Sequence, residues 1–109
     1  MMSTRSEITR EMVEKFDPER LKDVATADVT AYSGHLGLDA KGRDAVLEAT
    51  RKFYAEAKPT VHLKREPVEE GNFVVAFAQA TLASGEEREI CYVYRFAGDQ
   101  ISGMWTMRA

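Results

Sequence analysis

Apolar positions change their period near Pro59. Before it they recur every three or four residues, and after it they alternate, which predicts helices followed by strands. Thr4-Arg5-Ser6-Glu7 reads as a capping box with Thr4 as the N-cap, and Ile8, Met12 and Phe16 then form a narrow stripe on a short helix. Asp17-Pro18 restarts a second short helix, aspartate capping and proline at the first helical position, with Leu21 and Val24 as its buried face. Residues 28–33 read as a strand, and Gly34-His35-Leu36-Gly37 as a loop. Gly42 opens the longest helix, which ends before Pro59. Val46, Ala49, Phe53 and Ala57 are its core stripe, with Leu47 and Tyr54 on the flank. Asp44 suits its N-terminal end, and Glu48 stands four residues before Lys52.

Turn signals at Glu70-Gly71-Asn72, Ser84-Gly85-Glu86 and Ala97-Gly98-Asp99 separate four long strands, 60–69, 73–83, 87–96 and 100–108. The fold class that follows is α+β, a curved antiparallel sheet wrapped around N-terminal helices in a cone-shaped roll. Alternation assigns the faces. Ile90, Tyr92, Tyr94 and Phe96 are expected to face the helices. So is the larger-sized set of the preceding strand, Phe73, Val75, Phe77, Gln79 and Thr81. Ile101, Gly103, Trp105 and Met107 share one face of the last strand. That leaves Val74, Ala76, Ala78 and Val93 outside, too apolar for open water, and predicts a homodimer through the outer sheet face.

Length and charge narrow the classes. A chain of 109 residues fits one domain, 1–109, burying roughly 65% of the surface its unfolded form exposes. A charged content of 30% beside 44% hydrophobic residues reads as globular. A net charge of -3 gives no reason to bind nucleic acid or an anionic membrane. The N-terminus has no apolar stretch resembling a signal peptide, and the longest apolar run, 73–78, is too short to span a bilayer. The single cysteine, Cys91, cannot form an internal disulfide, and a cytoplasmic location is expected.

Several segments, taken in order, resemble a known family: Asp28-Val29-Thr30-Ala31-Tyr32, Gly42-Arg43-Asp44-Ala45-Val46, Val68-Glu69-Glu70-Gly71-Asn72-Phe73-Val74, Tyr94-Arg95-Phe96-Ala97-Gly98-Asp99-Gln100-Ile101, and Trp105. From Asp17 to Met107 the chain is similar to SnoaL-like members of the nuclear transport factor 2-like superfamily. The resemblance implies a pocket between helices and concave sheet, and often a dimer through the outer face. A cystatin-like fold is the rival architecture; it lacks the N-terminal helical pair and the strand before the long helix. The resemblance carries no single function, because the family spans isomerases, cyclases, dehydratases, epoxide hydrolases and binding proteins.

Three of that family's chemistries lack their residues here. Where ketosteroid isomerases hold a carboxylate base and a Tyr/Asp oxyanion pair, the matching positions are Tyr32, Ile8 and Tyr92. The run Ile90-Cys91-Tyr92-Val93-Tyr94 has neither the Arg nor the Asp of the epoxide hydrolases. Trp105 is followed by Thr106, not by the acid of the polyketide cyclases. His35 is then the candidate catalytic base, since imidazole titrates near neutral pH. Tyr32, Tyr54, Phe77, Gln79, Tyr92, Tyr94 and Trp105 are the candidate substrate-binding residues, their hydroxyls and amide serving as donors to a ligand oxygen. His62 is expected on the outer side, and Cys91 also. His35, His62 and Cys91 lack metal-ligand spacing, and with no glycine-rich phosphate loop neither metal nor cofactor is expected. Three readings stay open: an acid/base enzyme of the isomerase, cyclase or dehydratase type acting on a small apolar, oxygen-bearing ligand; a binding module with the same pocket; and a dimeric structural or interaction subunit.

Overall fold

A computed structural model describes residues 3–15, 17–34 and 37–108. Helix α1, Thr4–Glu14, is capped by Ser3, whose Oγ accepts from the Ser6 N–H at 3.2 Å. The cap therefore lies one residue before the expected Thr4. Ser6, Thr9, Met12 and Val13 form the buried face of α1, with Ile8 at its margin. Phe16, expected in that stripe, lies outside the described residues. A 3-10 turn, Pro18–Arg20, begins with the Asp17 carboxylate accepting from the Glu19 N–H at 3.0 Å, and runs into α2, Leu21–Val24.

Strand β1, Ala25–Ser33, and strand β2, Leu38–Lys41, follow. The β2 strand has no counterpart in the sequence-based expectation. Gly42 then turns the chain at φ 90°, where a side chain would be strained, and donates its N–H to the Val29 carbonyl at 2.7 Å. Helix α3 runs over Arg43–Ala57, and a left-handed Lys58 followed by Pro59 stops it.

The remaining strands are β3 (Thr60–Leu63), β4 (Val68–Glu70), β5 (Phe73–Thr81), β6 (Glu87–Ala97) and β7 (Gln100–Arg108). The expected strand 60–69 is two strands, both paired antiparallel with β5 and separated by a segment containing Pro67. The sheet order is β2-β1-β7-β6-β5-β3, with β4 beside β5. Because β1 runs parallel to β7, the sheet is mixed and not wholly antiparallel.

Helix α1 packs on β3 and β5, and α3 on β1 and β2. Under α1 the buried side chains of β5 are Val74, Ala76, Ala78 and Ala80. The expected parity of this strand is therefore inverted. A helix lying close on a strand needs small side chains beneath it, so the larger Phe73, Val75, Phe77, Gln79 and Thr81 turn outward. On β6 the expected set Ile90, Tyr94 and Phe96 is buried, and Tyr92 is half-buried beside them.

Strand β7 changes parity through a bulge. Phe96 stands opposite Ile101 but Arg95 opposite Gly103, which makes Ser102 the extra residue. Arg95 secures it, donating Nε–H to the Ser102 hydroxyl at 2.9 Å and Nη2–H to its carbonyl at 3.0 Å. Beyond the bulge Met104 and Thr106 pair with Tyr94 and Tyr92 and share their inner face, while Trp105 pairs with Val93 on the outer face.

Candidate functional site

A cavity of about 390 Å³ lies between α3 and the inner faces of β6 and β7. The helix supplies Ala49, Thr50, Phe53 and Tyr54, and the sheet supplies Ala31, Ile90, Tyr92, Tyr94, Met104 and Thr106. The space exists because α3 rests on β1 and β2, leaving the middle of the curved sheet uncovered. Thr50 contributes a methyl group, since its hydroxyl already donates within the helix to the Val46 and Leu47 carbonyls at 2.9 and 3.0 Å.

Three tyrosines define the polar chemistry of this space. Tyr92 and Tyr94 follow each other on the inner side of β6, ring centroids 6.3 Å apart and inclined at 73°. Tyr54 enters from α3, its ring edge-on to Phe53 at 5.4 Å. Burial pushes the Tyr92 hydroxyl up to about 12. Burial raises Tyr54 further, with Tyr92 beside it adding to the effect. Tyr94 is raised as well, by burial first and then by Tyr92 and Tyr54. A phenol shifted this way stays protonated at neutral pH, so each acts as a hydrogen-bond donor and none as a base.

The charged residues of the described lining are Lys52, Glu56 and Arg88. Lys52 and Glu56 lie exposed on α3 at the rim. Arg88 precedes Ile90 on the inner face of β6, opposite the small Ala80.

The candidate residues divide as follows. Tyr54, Tyr92 and Tyr94 come together in the cavity. Tyr32 borders it but is 53% exposed, because Ala31 and Ser33 take the buried positions of β1. Phe77, Gln79 and Trp105, expected to face the helices, stand on the outer face instead. On β5 the expected parity was inverted, and on β7 the bulge at Ser102 reverses it. His35 lies outside the described residues; Gly37 and Leu38 after it and Tyr32 before it border the cavity. Thr106, Met104 and Arg88 were not anticipated. The glycine at 103 beside a serine was the available signal of a bulge that turns Met104 and Thr106 inward.

Residues 9–104 match the model of the SnoaL-like domain. The chain belongs to this SnoaL-like family. Solved structures agree on the fold. A hypothetical protein with a ketosteroid isomerase-like fold from Catenulispora acidiphila, in complex with trimethylamine, superposes with a TM-score of 0.81 at 14% identity, covering 97% of this chain and 85% of that one. A nuclear transport factor 2-like protein of unknown function from Cytophaga hutchinsonii gives 0.78 at 18% identity, covering 97% and 96%. A candidate isomerase of the SnoaL-like family from Agrobacterium tumefaciens gives 0.78 at 12% identity, covering 97% and 95%. Among curated proteins none matches the sequence significantly. At such identities the likeness concerns the fold alone.

Among the described residues of this SnoaL-like chain no group of three or more His, Cys, Asp or Glu is placed to hold a metal ion. No described helix is long and apolar enough to cross a membrane.

Proposed function

We propose that this SnoaL-like protein binds a small apolar molecule bearing an oxygen acceptor, held by hydrogen bonds from Tyr54, Tyr92 and Tyr94. The observation that carries the reading is the grouping of three protonated phenols in one apolar cavity of about 390 Å³. Such a site favours a neutral carbonyl or ether oxygen, which accepts from phenol without itself carrying charge. The trimethylamine complex of the Catenulispora acidiphila protein supports small-molecule occupancy of this fold. Calorimetric titration with 2-acetylnaphthalene tests the reading. Tyr92→Phe and Tyr54→Phe are expected to weaken binding by roughly 3–10-fold each, the worth of one neutral hydrogen bond. Absence of binding, or affinity unchanged in both variants, would remove it.

A second reading adds catalysis. Tyr32 before His35 and Gly37 and Leu38 after it border the cavity, and a ketone polarised by phenol donors is a substrate whose α-proton His35, as the base of this reading, would take. The ketosteroid isomerase-like and isomerase descriptions of structural relatives support this acid/base direction.

The assembly proposed is a homodimer through the outer sheet face. Val68, Val75, Val93, Trp105 and Tyr32 are consecutive cross-strand neighbours over five strands. That apolar row is roughly 19 Å wide at ordinary strand spacing. Phe73 and Met107 flank it, both exposed. A second copy presenting the same row would cover these side chains in an isologous contact.

A further inference from the structure

We infer that Arg88 is a subsite for an anionic group, and that the ligand of the cavity is an elongated amphiphile with a carboxylate at its Arg88 end. This rests on the small-molecule reading above and names the class of molecule.

Three observations support it. First, Arg88, Ile90, Tyr92 and Tyr94 alternate along one strand face, so the cation stands at one end of the same row that carries the phenols. From Arg88 to Tyr92 is four residues, roughly 13 Å along the strand. One molecule can therefore meet a charged donor at one end and a neutral donor at the other. Second, the guanidinium is only partly solvated. The Arg88 side chain is 21% exposed and its partner Glu86 45%, so the carboxylate lies on the solvent side. Third, that partner leaves capacity. Nε donates to Glu86 Oε2 at 2.6 Å and Nη2 stands 2.5 Å from the same oxygen, and among the described residues Nη1 has no acceptor. A guanidinium has five N–H donors and binds carboxylates through two at once. The small Ala80 opposite leaves room beside it.

The other charges of the lining do not serve as well. Lys52 and Glu56 are exposed at the rim, where water and salt screen their charges. Arg88 is the charged lining residue carried by the sheet, paired there opposite Ala80, whereas Lys52 is exposed on the surface of α3. An anion here meets a partly desolvated guanidinium whose Nη1 donors are unused, and a charge-assisted hydrogen bond there favours an acid over its neutral isostere.

A matched pair of probes tests the inference: 6-acetyl-2-naphthoate and 2,6-diacetylnaphthalene, which share shape and differ by one carboxylate. Both are titrated at neutral pH and low salt into wild type, Arg88→Met and Arg88→Lys, each variant first checked for folding by circular dichroism. The acid is expected to bind wild type at least about tenfold tighter than the diketone. Arg88→Met should abolish that preference by weakening the acid far more than the diketone, and Arg88→Lys should retain part of it. If Arg88→Met does not fold, the lysine variant decides alone, by a reduced preference for the acid. Equal binding of the two probes to wild type, or a preference unaltered in the variants, overturns the Arg88 subsite and leaves the pocket reading standing. Failure of both probes to bind overturns the pocket reading and the subsite with it.

Discussion

The indole of Trp105 lies across Gly103. A Cβ built on that glycine would stand 2.7 Å from the ring's Cη2 and 2.8 Å from Cζ3. Arg95 lies beside them, its guanidinium 5.4 Å from the indole centroid and its Nη2 3.2 Å from that same Cβ, while also bonding the Ser102 bulge. Gly103→Ala is therefore expected to displace the ring and cost about 1–3 kcal/mol, as overpacking does. Because Trp105 is the only tryptophan, its emission reports the displacement directly. A variant with unchanged urea midpoint and emission would contradict the packing described.

The outer row predicts its own disruption. Val93 sits at the row's centre, between Val75 and Trp105. Val93→Glu would place a charge in the proposed dimer contact while facing solvent in the monomer. Sedimentation equilibrium at micromolar concentration should give a dimer for wild type and a monomer for the variant, with the circular dichroism unchanged. A contact of this kind buries at least about 1,000 Å² in total. A monomeric wild type would end the proposal.

Burial of the phenols predicts how stability depends on alkaline pH. Tyr92 is raised to about 12 in the folded chain, against an ordinary value of about 10. The folded state thus holds its proton more tightly than the unfolded one. Its contribution is full below about pH 10 and is lost as pH rises towards about 12. Tyr54 and Tyr94 are raised in the same direction and extend the loss upward. Tyr92→Phe should flatten the fall in unfolding free energy over this window, measured by urea titration at successive pH values. An unchanged slope would show that Tyr92 ionises as freely folded as unfolded.

Catalysis has a direct assay. Deuterium exchange into the acetyl methyl group of 2-acetylnaphthalene, followed by proton NMR, reports α-proton abstraction. With His35 as the base, His35→Ala should slow the protein-dependent exchange by roughly 10²–10⁴-fold while affinity changes little. Exchange no faster than in buffer with wild type would leave the binding module as the account.

Period and punctuation carried most of the fold. The switch at Pro59, the Asp17-Pro18 restart and the three glycine turns correspond to observed boundaries, because these features act within one or two residues. Facing on β5 was not legible. Size suggested that Phe73 and Phe77 belong inside, yet what decides is how closely α1 approaches Val74, Ala76 and Ala78. That approach is a tertiary fact, and a strand with apolar residues on both faces hides its parity. The β7 faces were lost to a single inserted residue, Ser102. Strand β6 was read correctly, since Glu89 and Arg95 against Ile90, Tyr94 and Phe96 leave one parity only. For the cavity lining this meant that Tyr54, Tyr92 and Tyr94 were among the residues the sequence placed there, while Met104, Thr106 and Arg88 required the register.

The central claim is that a ligand enters between α3 and the sheet and meets these phenols. The chain has four tyrosines, so carbon-13 labelling at the tyrosine ring gives one reporter per site. On adding 2-acetylnaphthalene, the signals of Tyr54, Tyr92 and Tyr94 should shift together and saturate, with Tyr32 at the margin moving least. Saturable shifts confined to Tyr32, or none at any tyrosine, would contradict the account.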